Sequence, residues 1–95
     1  MATKLSPNEI TEKIKTLSGW QFADNAIQKQ YVFESFMPAI EFVNRVARLA
    51  EEMDHHPDIT INYRRVTMVL STHSAGGLSA LDFALAKKIE SVVAG

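Results

Sequence analysis

Asp54-His55-His56-Pro57 sets two of the chain's three histidines side by side, and the third, His73, follows His56 by seventeen residues. Imidazole titrates near pH ~6.5, so it can give or take a proton at neutral pH. Three rings brought to one pocket would suit general acid–base catalysis. Glu51, Glu52 and Asp54 stand just before them, and a nearby carboxylate favours imidazolium and can orient a ring. Two other readings compete. A histidine at a helix C-terminus interacts well with the helix dipole, which gives either ring of the pair a structural role. Three neutral histidines can also ligate zinc. Adjacent side chains in an extended segment point to opposite sides, however, so His55 and His56 are poorly arranged to share one ion. No metal site is expected.

The composition narrows the setting. The 95 residues are 46% hydrophobic and 22% charged, with ten Lys and Arg against eleven Asp and Glu, for a formal charge of −1. This length suits one modest core, so residues 1–95 are expected to form a single domain. The balance lacks the basic excess of nucleic-acid modules, and no direct nucleic-acid partner is expected. Cysteine is absent, which removes disulfides, thiolate nucleophiles and Cys-bound metals. No apolar run approaches the roughly 20 residues of a membrane span, and MATKLSPNEI lacks the apolar stretch of a signal peptide. A cytoplasmic protein with no membrane partner is the expectation.

Five groups of elements must position the histidines. Ser6-Pro7-Asn8-Glu9 reads as a capping box with proline at the first helical position. Ile10, Ile14 and Leu17 continue it as a helical stripe that Gly19 is expected to end. Two strands follow around Asp24-Asn25, residues that tolerate the positive φ of a tight turn. That turn pairs Ala23 with Ala26 and Phe22 with Ile27. Ile27, Lys29, Tyr31 and Phe33 then alternate with Gln28, Gln30, Val32 and Glu34, as a strand with one buried face would. The longest helix is expected from about Pro38 to Met53, with Ala39, Phe42, Val43, Val46, Leu49, Ala50 and Met53 as its apolar stripe. It should stop at DHHP, because the residue before a proline avoids helical angles.

A second hairpin spans residues 58–73. A two-residue turn at Arg64-Arg65 would set Tyr63 against Val66, Ile61 against Met68 and Ile59 against Leu70, all on one face. Asn62-Thr67, Thr60-Val69 and Asp58-Ser71 would share the other face. A one-residue slip would scramble this segregation, so the register is expected to be well specified. Extended one step past Pro57, the same ladder sets His56 opposite His73.

The last helix opens on another capping box, Ser79-Ala80-Leu81-Asp82, and Leu81, Leu85, Ile89 and Val92 carry its stripe. Asp82 therefore has a structural task available, and a lone Trp20 suits a core. The glycines of the SAGG loop can shape a turn or let a ligand approach the backbone. No phosphate-binding glycine loop or nucleophile elbow is present. The order α-β-β-α-β-β-α predicts an α+β fold: a four-stranded antiparallel sheet with three helices packed on one face.

DHHP at 54–57, then Tyr63, Val66 and Leu70, then THSAGGLSALD at 72–82, resembles the pterin-4a-carbinolamine dehydratase family. That family's pattern is His-His-Pro, a hairpin, Thr-His, three variable residues, Gly-Leu, Ser or Thr, and Asp. The likeness extends upstream through RVARLAEEMDHHP and Gly19-Trp20, over nearly the whole chain. It implies a hydro-lyase that dehydrates 4a-hydroxytetrahydrobiopterin to quinonoid dihydropterin and water, in tetrahydrobiopterin recycling, with no cofactor. It further implies that His55 and His73 form the acid–base pair and that His56 positions the pterin and tunes the pocket. Asp54, Pro57, Ser71, Thr72, Ser74 and Trp20 would line the substrate site, and Asp82 would support the histidines or the substrate.

The runner-up reading is a non-catalytic, oligomerising binding protein, or a molybdopterin-related regulator, using the same pocket. Three complete histidines argue against a pure scaffold. Open sheet edges and the apolar stripe at 81–93 predict self-association into a homodimer or homotetramer.

Overall fold

The protein is described here by a computed structural model covering residues 3–94, with the side chains of residues 3–93. Its elements run α1 (Pro7–Ile14), β1 (Gln21–Ala23), β2 (Ala26–Val32), α2 (Phe36–Met53), β3 (Asp58–Asn62), β4 (Arg65–Leu70), a 3-10 turn (His73–Ala75) and α3 (Ala80–Ala94). The order and class are those expected. All strand pairs are antiparallel, in the sheet order β1-β2-β4-β3. No helix among the described residues is long and apolar enough to cross a membrane.

Local chemistry accounts for most boundaries. Ser6 and Glu9 exchange side-chain and backbone hydrogen bonds at the start of α1, completing the capping box. This helix ends at Ile14, earlier than Gly19, and Leu17 reaches the core from the turn that follows. Asp24 and Asn25 both hold positive φ, and the β1–β2 pairs fall as expected. In α2, which starts two residues before Pro38, Ala39, Phe42, Val46 and Ala50 are buried, with Val43, Leu49 and Met53 partly so.

The helix-facing side of the sheet buries Ile27, Tyr31, Val66, Met68 and Leu70. Gln28, Gln30 and Thr60 on the other side are exposed. This is the one-sided pattern of an antiparallel sheet covered by helices. Lys29 also points to the helix side. It survives there because its ammonium donates to Ser18 O and Glu90 Oε2 and stands 4.8 Å from the centre of the Tyr31 ring.

The second hairpin turns one residue earlier than expected, at Tyr63-Arg64. Its pairs are Ile61↔Val66, Ile59↔Met68 and Asp58↔Val69. The central strand β4 decides this. Arg65 pairs with both Asn62 and Val32, and Phe33 N–H donates to Arg64 O, so Arg65 belongs to the ladder. The shift preserves each residue's face, but Tyr63 leaves the sheet and is 61% exposed at φ 54. The expected His56–His73 pairing does not form. Strand β3 begins only at Asp58, and β4 ends at Leu70 before the chain curls into the 3-10 turn.

The α3 stripe holds at Leu85 and Ile89, which are buried, and at Val92, which is partly so, but Leu81 is exposed, and Asp82, Phe83 and Ala86 are buried as well. A carboxylate thus occupies a position on the apolar side of the helix. Burying it is costly unless its oxygens are well partnered.

Candidate active site

Two chain reversals converge on Asp82. At the end of α2, Asp54 adopts a left-handed conformation, with its N–H bonded to Ala50 O and Glu51 O. His55 N–H also donates to Ala50 O, at 3.0 Å. This closes the helix in the manner of a Schellman cap, with Asp in place of the usual Gly. The reversal turns His55 inward and leaves His56 outside. His55 is 8% exposed, whereas His56 is exposed and pairs with Glu51.

The second reversal follows β4. Thr72 bridges to Gly77, and between them His73–Ala75 form the 3-10 turn that Gly76 closes at φ 73. The chain then passes Leu78 and enters α3 at Ser79. Thr72 and Ser79 are buried, while His73 and Ser74 are exposed on the turn.

Asp82 is fully buried, at 0% exposure. Its Oδ1 lies 2.6 Å from His55 Nε2. Its Oδ2 accepts from Thr72 Oγ1 at 2.8 Å and from Ser79 N–H at 2.9 Å. Ser79 Oγ lies 2.7 Å from Thr72 Oγ1 and accepts from Leu81 N–H. Among the described residues, no buried side-chain nitrogen or oxygen lacks a partner. The carboxylate therefore sits in a complete cage of donors, the condition under which a buried charge is tolerated.

The cage also sets proton positions. An ionised Asp82 carries no proton, so the contact with His55 requires the proton on Nε2. In a neutral ring, Nδ1 is then the acceptor. That atom takes no hydrogen-bond partner among the described residues.

The structure links His55, Thr72 and Asp82 directly. Ser71, half-buried, and His73 flank Thr72 along the chain, and Asp54, His56 and half-buried Pro57 flank His55. Asp54 shapes the backbone as a helix cap. Trp20 lies elsewhere. Its indole donates to Glu90, and Glu90 also accepts from Lys29 Nζ and the Tyr31 hydroxyl. Glu90 is eight residues beyond Asp82 on α3, or ~12 Å along the axis. Burial opposes ionisation of Glu90, but the hydrogen bonds from Lys29 and Tyr31, the Lys29 charge and the Trp20 indole together hold its carboxyl below the usual range. Burial, and then the Glu90 carboxylate, push the Tyr31 hydroxyl well above its ordinary value.

Sequence reasoning passed over Ser79 as a site residue. Its capping-box position was the available signal, and the box places both Ser79 and Asp82 in this cage. Among the described residues, no group of three His, Asp or Glu side chains is arranged to hold a metal ion.

The sequence model of the family described as pterin 4 alpha carbinolamine dehydratase matches residues 3–92. The chain belongs to the pterin-4a-carbinolamine dehydratase family. A relative from Roseiflexus sp. (strain RS-1), described as a "putative pterin-4-alpha-carbinolamine dehydratase", is 50% identical over 93 residues, covering 98% of this chain and all of the relative. The crystal structure of a transcriptional coactivator/pterin dehydratase from Brucella melitensis superposes with a TM-score of 0.92 at 36% identity, covering 95% of this chain and 98% of that one. A pterin dehydratase-like protein, identified as a RuBisCO assembly factor in the alpha-carboxysome, shares the fold. It has a TM-score of 0.67 at 21% identity, over 78% of this chain and 88% of its own. The two segments on which the family resemblance rests, HHP and Thr-His…Gly-Leu-Ser-Ala-Leu-Asp, are the two reversals that meet at Asp82.

Proposed function

We propose that this pterin-4a-carbinolamine dehydratase family protein dehydrates a 4a-hydroxytetrahydropterin by histidine acid–base catalysis, within tetrahydrobiopterin recycling. The observation that carries this reading is the His55–Asp82 pair, which leaves Nδ1 as the acceptor nitrogen, without a partner among the described residues. Family membership supplies the substrate class.

The reaction removes a proton from a ring N–H and the hydroxyl from C4a. As the N–H bond breaks, its electron pair forms the new C=N bond and the C–O bond releases the hydroxyl, which takes up a second proton and departs as water. His55 Nδ1 accepts the ring proton, and buried Asp82 stabilises the imidazolium that results. His73, exposed on the turn beside Thr72, donates the proton to the leaving hydroxyl. Exchange with solvent resets both rings. His56, Asp54, Pro57, Ser71 and Ser74 lie along the two chain segments that border this chemistry and contact the pterin.

Self-association accompanies this reading. The edge strands β1 and β3 are open on one side, and Leu81 and Val93 are exposed on α3. These features support a dimer or tetramer, which sedimentation equilibrium tests.

The deciding experiment mixes the purified protein with 4a-hydroxytetrahydropterin generated in situ by an aromatic amino-acid hydroxylase. Quinonoid dihydropterin is followed by its ultraviolet absorbance, with and without a chelator. A rate well above the spontaneous one, insensitive to chelator, is expected. A rate equal to the spontaneous one overturns the proposal.

A further inference from the structure

The hydroxyls around Asp82 form a directed chain. Thr72 has one hydroxyl proton, and it is committed to Asp82 Oδ2. The 2.7 Å contact between Thr72 Oγ1 and Ser79 Oγ must then be donated by Ser79. Ser79 Oγ in turn accepts from Leu81 N–H, and Ser79 N–H donates to the same Asp82 oxygen as Thr72. The helix start thus feeds Ser79, Ser79 feeds Thr72, and both hold Oδ2. Only Oδ1 is left to face His55, and bonds in such a chain polarise one another.

We infer that Thr72 and Ser79 are positioning residues, which fix the Asp82 carboxylate so that His55 is held in the single tautomer with its proton on Nε2. This rests on the acid–base reading of His55, and it gives Thr72 a task other than touching the pterin. Thr72 is 5% exposed and Ser79 1%, and the hydroxyls of both are spent on this network. A carboxylate held by both oxygens cannot turn about its own axis. Without the Thr72 hydroxyl, Oδ2 keeps only the Ser79 N–H, the carboxylate is less tightly fixed, its contact with Nε2 loosens, and His55 gains access to the form with its proton on Nδ1. Control of a histidine tautomer by a partner's fixed hydrogen bond is a known requirement of imidazole catalysis.

The test uses full-length protein labelled with nitrogen-15 at histidine. Ring nitrogen shifts of His55 are recorded above its titration range, where the ring is neutral, for wild type, Thr72→Val, Thr72→Ser and Ser79→Ala. Wild type is expected to show the Nε2–H form alone. Thr72→Val, which removes a donor to Oδ2, and Ser79→Ala, which removes the donor to Thr72 Oγ1, are expected to show a minor population with the proton on Nδ1 beside the Nε2–H form. Their kcat falls about tenfold, the usual scale for losing a partner that orients a working side chain, while KM stays within about twofold. Thr72→Ser restores the hydroxyl and recovers the single tautomer.

A single tautomer in both Thr72→Val and Ser79→Ala overturns the inference. So does a raised KM with kcat intact, which would place Thr72 in contact with substrate. A Thr72→Ser variant as mixed as Thr72→Val also overturns it, because the methyl group rather than the hydroxyl would then hold the site. The ring shifts need no turnover. A wild type without dehydratase activity would sink the proposed function, and the tautomer comparison would still decide the positioning role.

Discussion

His55 and Asp82 are 27 residues apart in the chain, yet His55 Nε2 and Asp82 Oδ1 meet at 2.6 Å with both side chains almost wholly buried. One comes from the cap of α2 and the other from the first turn of α3. Their contact joins the HHP segment to the Thr-His…Asp segment. Asp82 is held by three donors, and a change at this residue affects both the proton on His55 and the start of α3.

Asp82→Asn tests the charge at nearly constant shape. The amide can turn its NH2 toward His55 and force the ring into the opposite tautomer, and it no longer stabilises imidazolium. Dehydration is expected to slow by about 10²-fold or more. Steady-state kinetics on the purified variant, with a circular dichroism melt as the folding control, measures this. Activity within about twofold of wild type would remove Asp82 from the mechanism.

His55→Ala and His73→Ala separate catalysis from stability. Each is expected to lower turnover by about 10²-fold. His55→Ala also strands a buried carboxylate and is expected to cost about 3 kcal/mol. His73 is exposed on the turn, and its removal should change stability by no more than about 0.5 kcal/mol. Urea titration of the two variants provides the comparison. Equal destabilisation by both would contradict the placement of the rings.

The Glu90 cluster sets a pH dependence of stability with a definite sign. The folded state holds the Glu90 carboxyl below its ordinary value of 4.5. Its stabilisation is therefore present above the unfolded-state value and is lost as pH falls through the lower folded value. Glu90→Gln is expected to cost about 1 kcal/mol at pH 7, allowing for partial exposure, and progressively less as pH falls below 4.5. Tyr31 has the opposite sense. Its raised folded value means that stability is present in full below its ordinary value of 10.0 and declines as pH rises beyond it. Tyr31→Phe should flatten that alkaline decline. Thermal melts between pH 2 and pH 11 would reveal both limbs, and a Glu90→Gln deficit independent of pH would count against the acid limb.

Tyr63 is a bulky residue at φ 54 and 61% exposed, in a two-residue turn where Arg64 does not share the positive φ. A positive φ at the first central residue of such a turn is best served by glycine. Tyr63→Gly is expected to stabilise the fold by about 1 kcal/mol, raising Tm by roughly 4–8 °C in a domain of this size. A lower Tm would mean that the Tyr63 ring makes a compensating contact.

Several features were legible in the chain because they depend on neighbours a few residues away. Ser6 and Glu9 recognise each other across one helical turn. Asp24 and Asn25 bring their own tolerance for positive φ. The alternation along β2 and the stripe of α2 mark one buried side each. HHP and Thr-His…Asp were visible as a family pattern. Tertiary structure decided the rest. Local alternation could not choose between turns at Tyr63-Arg64 and Arg64-Arg65, since both keep every residue on its own face, and the pairing of Arg65 with Val32 across β4 made the choice. A hydrophobic count along α3 selects Leu81, but the helix buries Asp82 instead, because His55, Thr72 and the Ser79 N–H converge on that spot. Trp20 belongs with Glu90 for the same kind of reason: its hydrogen-bond partner lies seventy residues away. Periodicity and caps arise from interactions within a turn or two of chain, so residue types alone encode them. The partner of a buried carboxylate is set by how separate elements pack, where desolvation makes one complete set of donors far more favourable than any partial one.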